Sequence, residues 1–298
     1  MSSPVVLVTG ASGSLGWVLA STPGQEAEVV AAYHSHPYHP EGTRGARLDL
    51  EDPCSIKAFL EEYRPRTIFH LAAITNPDQC EKDPVRARRV NLEATRELAQ
   101  WAGSQGAKLV FASTDLVFDG RKGDYSEDDV PVPLNVYGRT KLEAEKAVLK
   151  ACPGGVVVRS SLIYGIGGPK GRTFLSRLLG ALSRGERMRL FIDQKRSPVL
   201  LEDLAGAMVT AVRRGLTGIY HVAGSEAITR FDFGAMVCEI FGFDRRLLVP
   251  IRMADFEYEA PRPLDSSLNI SRFKKAVGFE PTPIARALAD LKRRLPGR

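Results

Sequence analysis

The sequence predicts an α/β protein: a doubly wound parallel sheet from the N-terminal half, with a smaller C-terminal substrate lobe. Three observations carry this. Short β-branched runs alternate with helix-period segments as far as Ile163, the rhythm of βαβ units. The first of these runs, Val5–Thr9, leads directly into a glycine turn. Beyond Ile163 the alternation loosens into glycine-rich and proline-rich stretches. A chain of 298 residues is long for one hydrophobic core. We therefore expect residues 1–163 to form the sheet domain. Residues 164–298 are expected to supply its last strands, interleaved with the lobe.

Taken in order, Val5–Thr9 is expected as a buried strand, Leu15–Ser21 as a helix and Glu28–Tyr33 as a second strand. A turn-rich loop, His34–Arg44, follows, then a short third strand. Ser55–Tyr63 reads as a helix ending near Pro65, and Thr67–Ala73 as a strand. Val85–Gly103 reads as one long amphipathic helix, Lys108–Ser113 as a strand, Val136–Ala151 as a helix and Val156–Ser160 as a strand. Gly165–Gly171 is a glycine-rich loop. Helices are expected at Phe174–Arg184, Phe231–Phe241 and Ile284–Arg294, with irregular chain over Pro250–Leu264.

The glycine turn is Gly10-Ala11-Ser12-Gly13-Ser14-Leu15-Gly16, a GxxGxxG spacing. Its first glycine permits the tight turn off the strand. The second lets backbone amides approach a pyrophosphate, and the third lets helix pack closely on strand. The following helix aims its amides and dipole at the anion. In strand–turn–helix context this is a Rossmann dinucleotide site. An acid at the end of the second strand would bond a ribose 2′-OH and favour NAD. Here that strand ends Tyr33-His34-Ser35-His36, with no acid. Ser35 and His36 are the expected partners of a 2′-phosphate, with Arg44 nearby, so NADP(H) is preferred and NAD(H) is the lesser alternative. Asp49 and Leu50 stand where this fold lays the adenine. His34, His36 and His39 share a loop broken by Pro37 and Pro40, which reads as exposed loop rather than metal site; no metal is expected.

Tyr137 and Lys141 form a YxxxK pair at (i, i+4), on one face of a helix. Hydride reduction of a carbonyl leaves an alkoxide that needs a proton. A phenol titrates near 10, and an adjacent ammonium favours the phenolate and moves it toward neutrality. Thr114 follows the strand Lys108–Ser113, at the sheet edge where cofactor and substrate meet, and would orient the carbonyl. Thr114, Tyr137 and Lys141 are thus the expected catalytic set.

The composition, 44% hydrophobic and 26% charged, is that of an ordinary globular protein. No apolar run approaches the ~20 residues of a membrane span. No basic region precedes Val5–Val8, so no signal peptide is expected. Cys54, Cys80, Cys152 and Cys238 are scattered and read as free thiols, which points to a reducing, cytoplasmic setting. The net charge of +6 is partly the tail Lys292-Arg293-Arg294 and Arg298, a solvated helix end; no nucleic-acid motif accompanies it.

These residues resemble the extended short-chain dehydrogenases/reductases of the dTDP-4-dehydrorhamnose reductase type, over nearly the whole chain. The sequence is also similar to the regulatory beta subunit of methionine adenosyltransferase, which shares that fold. The matching segments are Val8–Gly16, Leu71–Glu81, Val90–Thr95, Ser113–Gly120, Pro133–Glu145, Arg159–Gly165, Arg196–Ala205 and Ala260–Asn269. The most specific are STDLVFDG from Ser113 and PLNVYGRTKLEAE from Pro133. The resemblance implies that Gly10 to Gly16 wrap the pyrophosphate and that Asp49 and Leu50 flank the adenine. It implies that Leu71, Ala72 and Ala73 lie along the ribose and pyrophosphate, and that Tyr137 is the proton donor. Asp115 is placed beside the substrate, Asn91 near the site as a backbone pin, and Arg262 against a substrate diphosphate. Reductases of the rhamnose pathway carry a tryptophan where this chain has Leu162; the adenosyltransferase subunit is aliphatic there too.

The expected function is NADPH-dependent reduction of the 4-keto group of a nucleotide-linked 6-deoxy sugar. The alternatives are a cofactor-binding regulatory subunit of a partner enzyme, or a reductase or epimerase of another carbonyl. Monomer and homodimer both stay open.

Overall fold

The computed structural model describes residues 3–22, 27–169 and 172–295. The outermost part of the basic tail, with Arg298, and the end of the glycine-rich loop at Gly171 lie outside the described residues.

Seven parallel strands form the central sheet: β1 (Val5–Thr9), β2 (Glu28–Tyr33), β3 (Arg44–Arg47), β4 (Thr67–His70), β5 (Lys108–Thr114), β6 (Val156–Ser160) and β7 (Gly218–His221). Their order is β7-β6-β5-β4-β1-β2-β3, so the winding reverses between β1 and β4. In such sheets ligands bind beyond the carboxyl ends of the strands at that reversal. Residues from both faces are buried, as continuous apolar strands require. One face packs against helices α1 (Ser14–Ala20) and α5 (Leu201–Arg213). The other packs against α2 (Pro53–Tyr63), α3 (Ala94–Gln105) and α4 (Val136–Ala151). A separate apolar core, around Leu178, Phe233, Val237 and Leu288, joins the helix at Phe174–Ser183 to α6 (Arg230–Phe241) and α7 (Ile284–Arg294).

Three elements differ from the sequence reading, each for a local reason. The strand expected over Thr67–Ala73 stops at His70, because the amides of Leu71 and Ala72 turn to the Thr9 hydroxyl (both 3.1 Å). The helix expected over Val85–Gly103 runs as an α-turn at Pro84–Arg88, a π-turn at Arg89–Glu93 and then α3. A π-turn inserts one residue into the ladder and re-aims the side chains on it. The stretch Pro250–Leu264 is not wholly irregular, since Leu248–Ile251 pairs in parallel with Met188–Phe191. A short helix at Pro77–Lys82, capped by the Asn76 side chain, had no expectation in the sequence.

Helix α4 is set by a buried ion pair. Arg159 on β6 donates to both carboxylate oxygens of Glu145 (2.9 and 2.7 Å), with both side chains out of solvent. The register pairs Ser113 with Arg159, so the Ser113 hydroxyl donates to the same carboxylate. Removing one partner of such a pair leaves a charge buried and unmet. Arg159→Met is therefore expected to lower unfolding free energy by about 3–5 kcal/mol, measured by urea melts. A loss within experimental error would show that the pair does not hold the helix.

Candidate active site

The β1–α1 turn is shaped for close approach. Gly10 has φ of 69°, a left-handed backbone, and a Cβ there would meet the Ala72 nitrogen at 3.0 Å. A Cβ on Gly16 would strike the Gly10 carbonyl at 2.3 Å, so the helix can start this close to the strand only with glycine there. A cavity of about 400 Å³ opens over this turn. Gly10, Ser12, Gly13, Asp49, Leu50, Leu71, Ala72 and Ala73 line it. Ala11, Ser14, Leu15 and Gly16 are outside this lining; Ala11 is fully buried and its N–H donates to Ala32 O (3.1 Å). The floor of small and glycine residues and the free helix N-terminus, whose Gly13 cap offers no side chain, suit a dinucleotide pyrophosphate.

Ser35 and His36 are exposed and outside this lining, which takes Tyr33, His34 and Arg86 instead. His34 Nε2 lies 3.7 Å from Asp49, and Arg86 pairs with Glu51 at 2.8 Å. Arg44 is turned to the sheet edge, between Glu28 (3.6 Å) and Glu62 (3.7 Å), with its guanidinium over Tyr63. Nothing in the sequence marked Arg86, which arrives from a helix fifty residues downstream of β2. His39 bonds Thr43 (3.0 Å) rather than converging with His34 and His36.

The loop that follows β4 is pinned twice. Thr9 Oγ1 accepts from Leu71 N and Ala72 N, so its own proton goes to His70 Nδ1 (2.8 Å). His70 therefore carries its proton on Nε2 and donates to Thr95 (2.9 Å), which donates to Asn91 O (2.8 Å). Burial first, and the nearby Lys141 second, push the His70 pKa down to about 3, so the ring stays neutral. Asn91, on the π-turn, accepts from Ile74 N (2.8 Å) and donates to Ile74 O (3.1 Å) and to Thr140 (3.3 Å).

Tyr137 and Lys141 lie on α4, and Thr114 at the end of β5; all three are buried. Asn135 caps α4 by accepting from Gly138 N (2.8 Å) and ties it to Pro261 O (2.8 Å). A Cβ on Gly138 would lie 2.2 Å from the Leu116 carbonyl, so glycine lets the helix close on the β5 end. Burial drives the Tyr137 phenol well above its usual range, with the Asp115 carboxylate adding to it and the Thr114 hydroxyl opposing. Burial also pulls Lys141 down to about 7, against the raising influence of Glu145. Its Nζ sits 3.8 Å from the Phe111 ring centroid. Burial is the largest influence on Tyr137 and it raises the phenol, opposite in direction to the lowering expected from Lys141.

Asp115 is engaged by the protein on one of its oxygens. Its Oδ2 accepts from Ser161 (3.0 Å) and Ser266 (2.6 Å) and pairs with Arg196 (3.3 Å). It joins four chain segments beneath the site. Arg262 pairs with Asp78 (2.9 Å) and lies over the Tyr258 ring. Leu162 is partly buried against the C-terminal core.

Residues 4–295 match the RmlD substrate binding domain. The chain belongs to that family. It is 33% identical over 295 residues to a probable low-salt glycan biosynthesis reductase of Haloferax volcanii, covering 96% of both chains. It is 32% identical to methionine adenosyltransferase 2 subunit beta of Xenopus tropicalis, covering 93% of this chain and 84% of that one. A crystal structure of dTDP-4-dehydrorhamnose reductase from Bacillus anthracis in complex with NADP superposes with a TM-score of 0.87 at 26% identity, covering 99% of this chain and all of that one.

Because Asn91 holds both polar groups of Ile74, Asn91→Ala leaves the part-buried Ile74 amide unmet and its carbonyl with only the weak Cys80 thiol donor (3.3 Å). Stability is expected to fall by about 1–3 kcal/mol in urea melts. NADPH affinity, followed by cofactor fluorescence, is expected to weaken with it. Wild-type values for both would place the loop's order elsewhere.

Proposed function

We propose that this protein is an NADPH-dependent oxidoreductase of the short-chain dehydrogenase/reductase type that reduces the 4-keto group of a nucleotide-linked 6-deoxy sugar. The carrying observation is the buried Thr114–Tyr137–Lys141 set at the carboxyl edge of the sheet, two strands from the glycine turn. The family membership and the NADP complex of the related reductase support it.

Gly10 to Gly16, Asp49, Leu50 and Leu71 to Ala73 would hold the dinucleotide, with NAD(H) as the poorer cofactor. When bound, NADPH supplies the hydride. The chain's own residues do the rest. Tyr137 keeps its proton at neutral pH and surrenders it only to a strong base, such as an oxygen becoming an alkoxide. The Thr114 hydroxyl, which donates to Asp115 at 3.2 Å in the free protein, turns to the substrate oxygen and orients it. Lys141, pulled down to about 7 by burial, would steady the tyrosinate and hold the nicotinamide ribose of a bound cofactor. Asp115 acts by positioning: it fixes the β5 end, and its charge helps keep Tyr137 protonated. Residues 164–298 are read as carrying the substrate lobe. The four cysteines of the chain are free thiols, in keeping with a cytoplasmic setting.

One observation favours a second reading. Leu162 packs against the C-terminal apolar core, at the position where the resemblance to rhamnose-pathway reductases implies a tryptophan, and the chain is also similar to a protein named as a subunit, methionine adenosyltransferase 2 subunit beta. A stable complex with a partner enzyme, with no turnover of any keto sugar, would favour that reading.

With dTDP-4-keto-6-deoxyglucose generated in place, NADPH oxidation is expected to require both protein and sugar and to outpace NADH oxidation. Tyr137→Phe is expected to cut turnover by about 10²–10⁴-fold while NADPH affinity stays near wild type. Strong residual activity would remove Tyr137 from the proton-donor role.

A further inference from the structure

The ammonium of Lys141 is held without a hydrogen bond from the protein. The residue is 2% exposed, and among the described residues no carbonyl, hydroxyl or carboxylate accepts from its Nζ. Glu145, one turn further along α4, is taken by Arg159 and Ser113. What meets the ammonium is a ring: Nζ lies 3.8 Å from the Phe111 centroid. Other cation–ring pairs among the described residues run from 4.7 Å (Arg230 over Phe174) to 5.9 Å (Arg245 over Phe231), so this one is the tightest. The face of an aromatic ring is negative and attracts a cation, most strongly where water is excluded.

The sheet builds this contact. Leu109 and Phe111 on β5 enter the core beneath α4, while Val110 between them packs on the opposite face. The β4–β5 register sets His70 beside Phe111, and the two rings stack with centroids 5.7 Å apart. His70 is itself fixed by Thr9 and Thr95 and kept neutral by burial, so no second positive charge stands beside the ring. The other groups that bear on Lys141 are few. Burial opposes its charge, and Glu145 favours it. Tyr137, one turn back on α4, is raised by burial and stays uncharged at neutral pH. From β6 comes Arg159, locked on Glu145, and past the end of β5 Asp115 bears on Tyr137.

We propose that Phe111 is a positioning residue: its ring face holds the Lys141 ammonium in place and keeps it charged inside the sheet, ready for the cofactor ribose and for Tyr137. The proposal rests on the reductase reading for what Lys141 does there. An ammonium has three N–H donors. The ring occupies one direction and leaves the others for ribose hydroxyls and the tyrosine oxygen. An aliphatic residue at this position would fill the core but leave the cation to burial alone.

The test is an NMR titration of Lys141 in full-length protein labelled with carbon-13 at lysine Cε, its signal identified by loss in Lys141→Arg. Fluorinated phenylalanines are placed at position 111, where they strip negative charge from the ring face and nearly keep its shape. The wild-type midpoint, about 7, is expected to move acidward by about one pH unit with a trifluorinated ring. At pH 7 the charged fraction then drops from about half to about a tenth. NADP⁺ affinity by calorimetry is accordingly expected to weaken about fivefold at pH 7 and hardly at pH 5, where the lysine is charged in both proteins. Phe111→Leu is expected to show the same shift, and the fluorinated series carries the test if that variant does not fold. An unmoved midpoint across the series overturns the proposal. So does an affinity loss equal at both pH values, which would leave the ring a packing role only. Neither readout uses a sugar. A moved midpoint without keto-sugar reduction would sink the reductase reading and leave Phe111 holding Lys141 for a bound cofactor. Reduction with an unmoved midpoint would do the reverse.

Discussion

The site depends first on the buried pair between Arg159 and Glu145. Tyr137, Lys141 and Glu145 occupy successive turns of one face of α4 at spacings of four, so fixing the last fixes the direction of the first two. Glu145 is clamped from β6 by Arg159 and from β5 by Ser113, whose next residue is Thr114. One carboxylate thus ties the strand that carries Thr114 to the helix that carries Tyr137 and Lys141. A buried ion pair is a weak source of net stability, because desolvation consumes most of the attraction. What it gives here is geometry, in a place where an apolar contact would tolerate a slide along the helix axis.

The cofactor side is held by the same kind of accounting. The strands stop so that backbone amides beyond their ends can face a ligand, yet those amides need order when no ligand is present. Thr9 and Asn91 provide it. The β1–β4 register sets Thr9 opposite His70, and the chain of hydrogen bonds from Thr9 through His70 and Thr95 ends on the π-turn that carries Asn91. The π-turn is the feature that brings Asn91 to Ile74 and Thr140 together, and so couples the cofactor loop to the helix bearing Tyr137. Phe111 lies between the two systems, stacked on His70 and covered by Lys141.

Local features were legible in the sequence. The glycine turn is contiguous, and its needs are steric. The spacing of Tyr137 and Lys141 reports a shared helix face. The alternation of strands and helices reports the parallel sheet. Features that depend on distant segments were not legible. Ser35 and His36 are adjacent to β2, but which side chains line the cavity there depends on how the chain turns after Tyr33; His34 and the remote Arg86 are in its lining. Asp115 looks available in STDLVFDG, and only the arrival of Ser161, Arg196 and Ser266 shows that it is engaged. The phenol of Tyr137 was expected to be tuned by its neighbour Lys141. Sequence spacing carries no information about burial, and burial is the largest influence on that phenol, raising it.

The reductase reading turns on direct hydride transfer to a sugar carbonyl under Tyr137. Its most direct measurement is a single turnover with NADPH deuterated at the transferable C4 position, dTDP-4-keto-6-deoxyglucose as substrate, and mass spectrometry of the sugar. One deuterium on C4 of a reduced sugar, formed only with the protein and lost in Tyr137→Phe, is the predicted result. Unreduced sugar alongside tightly bound, unoxidised cofactor would contradict the reductase and leave the regulatory reading in its place.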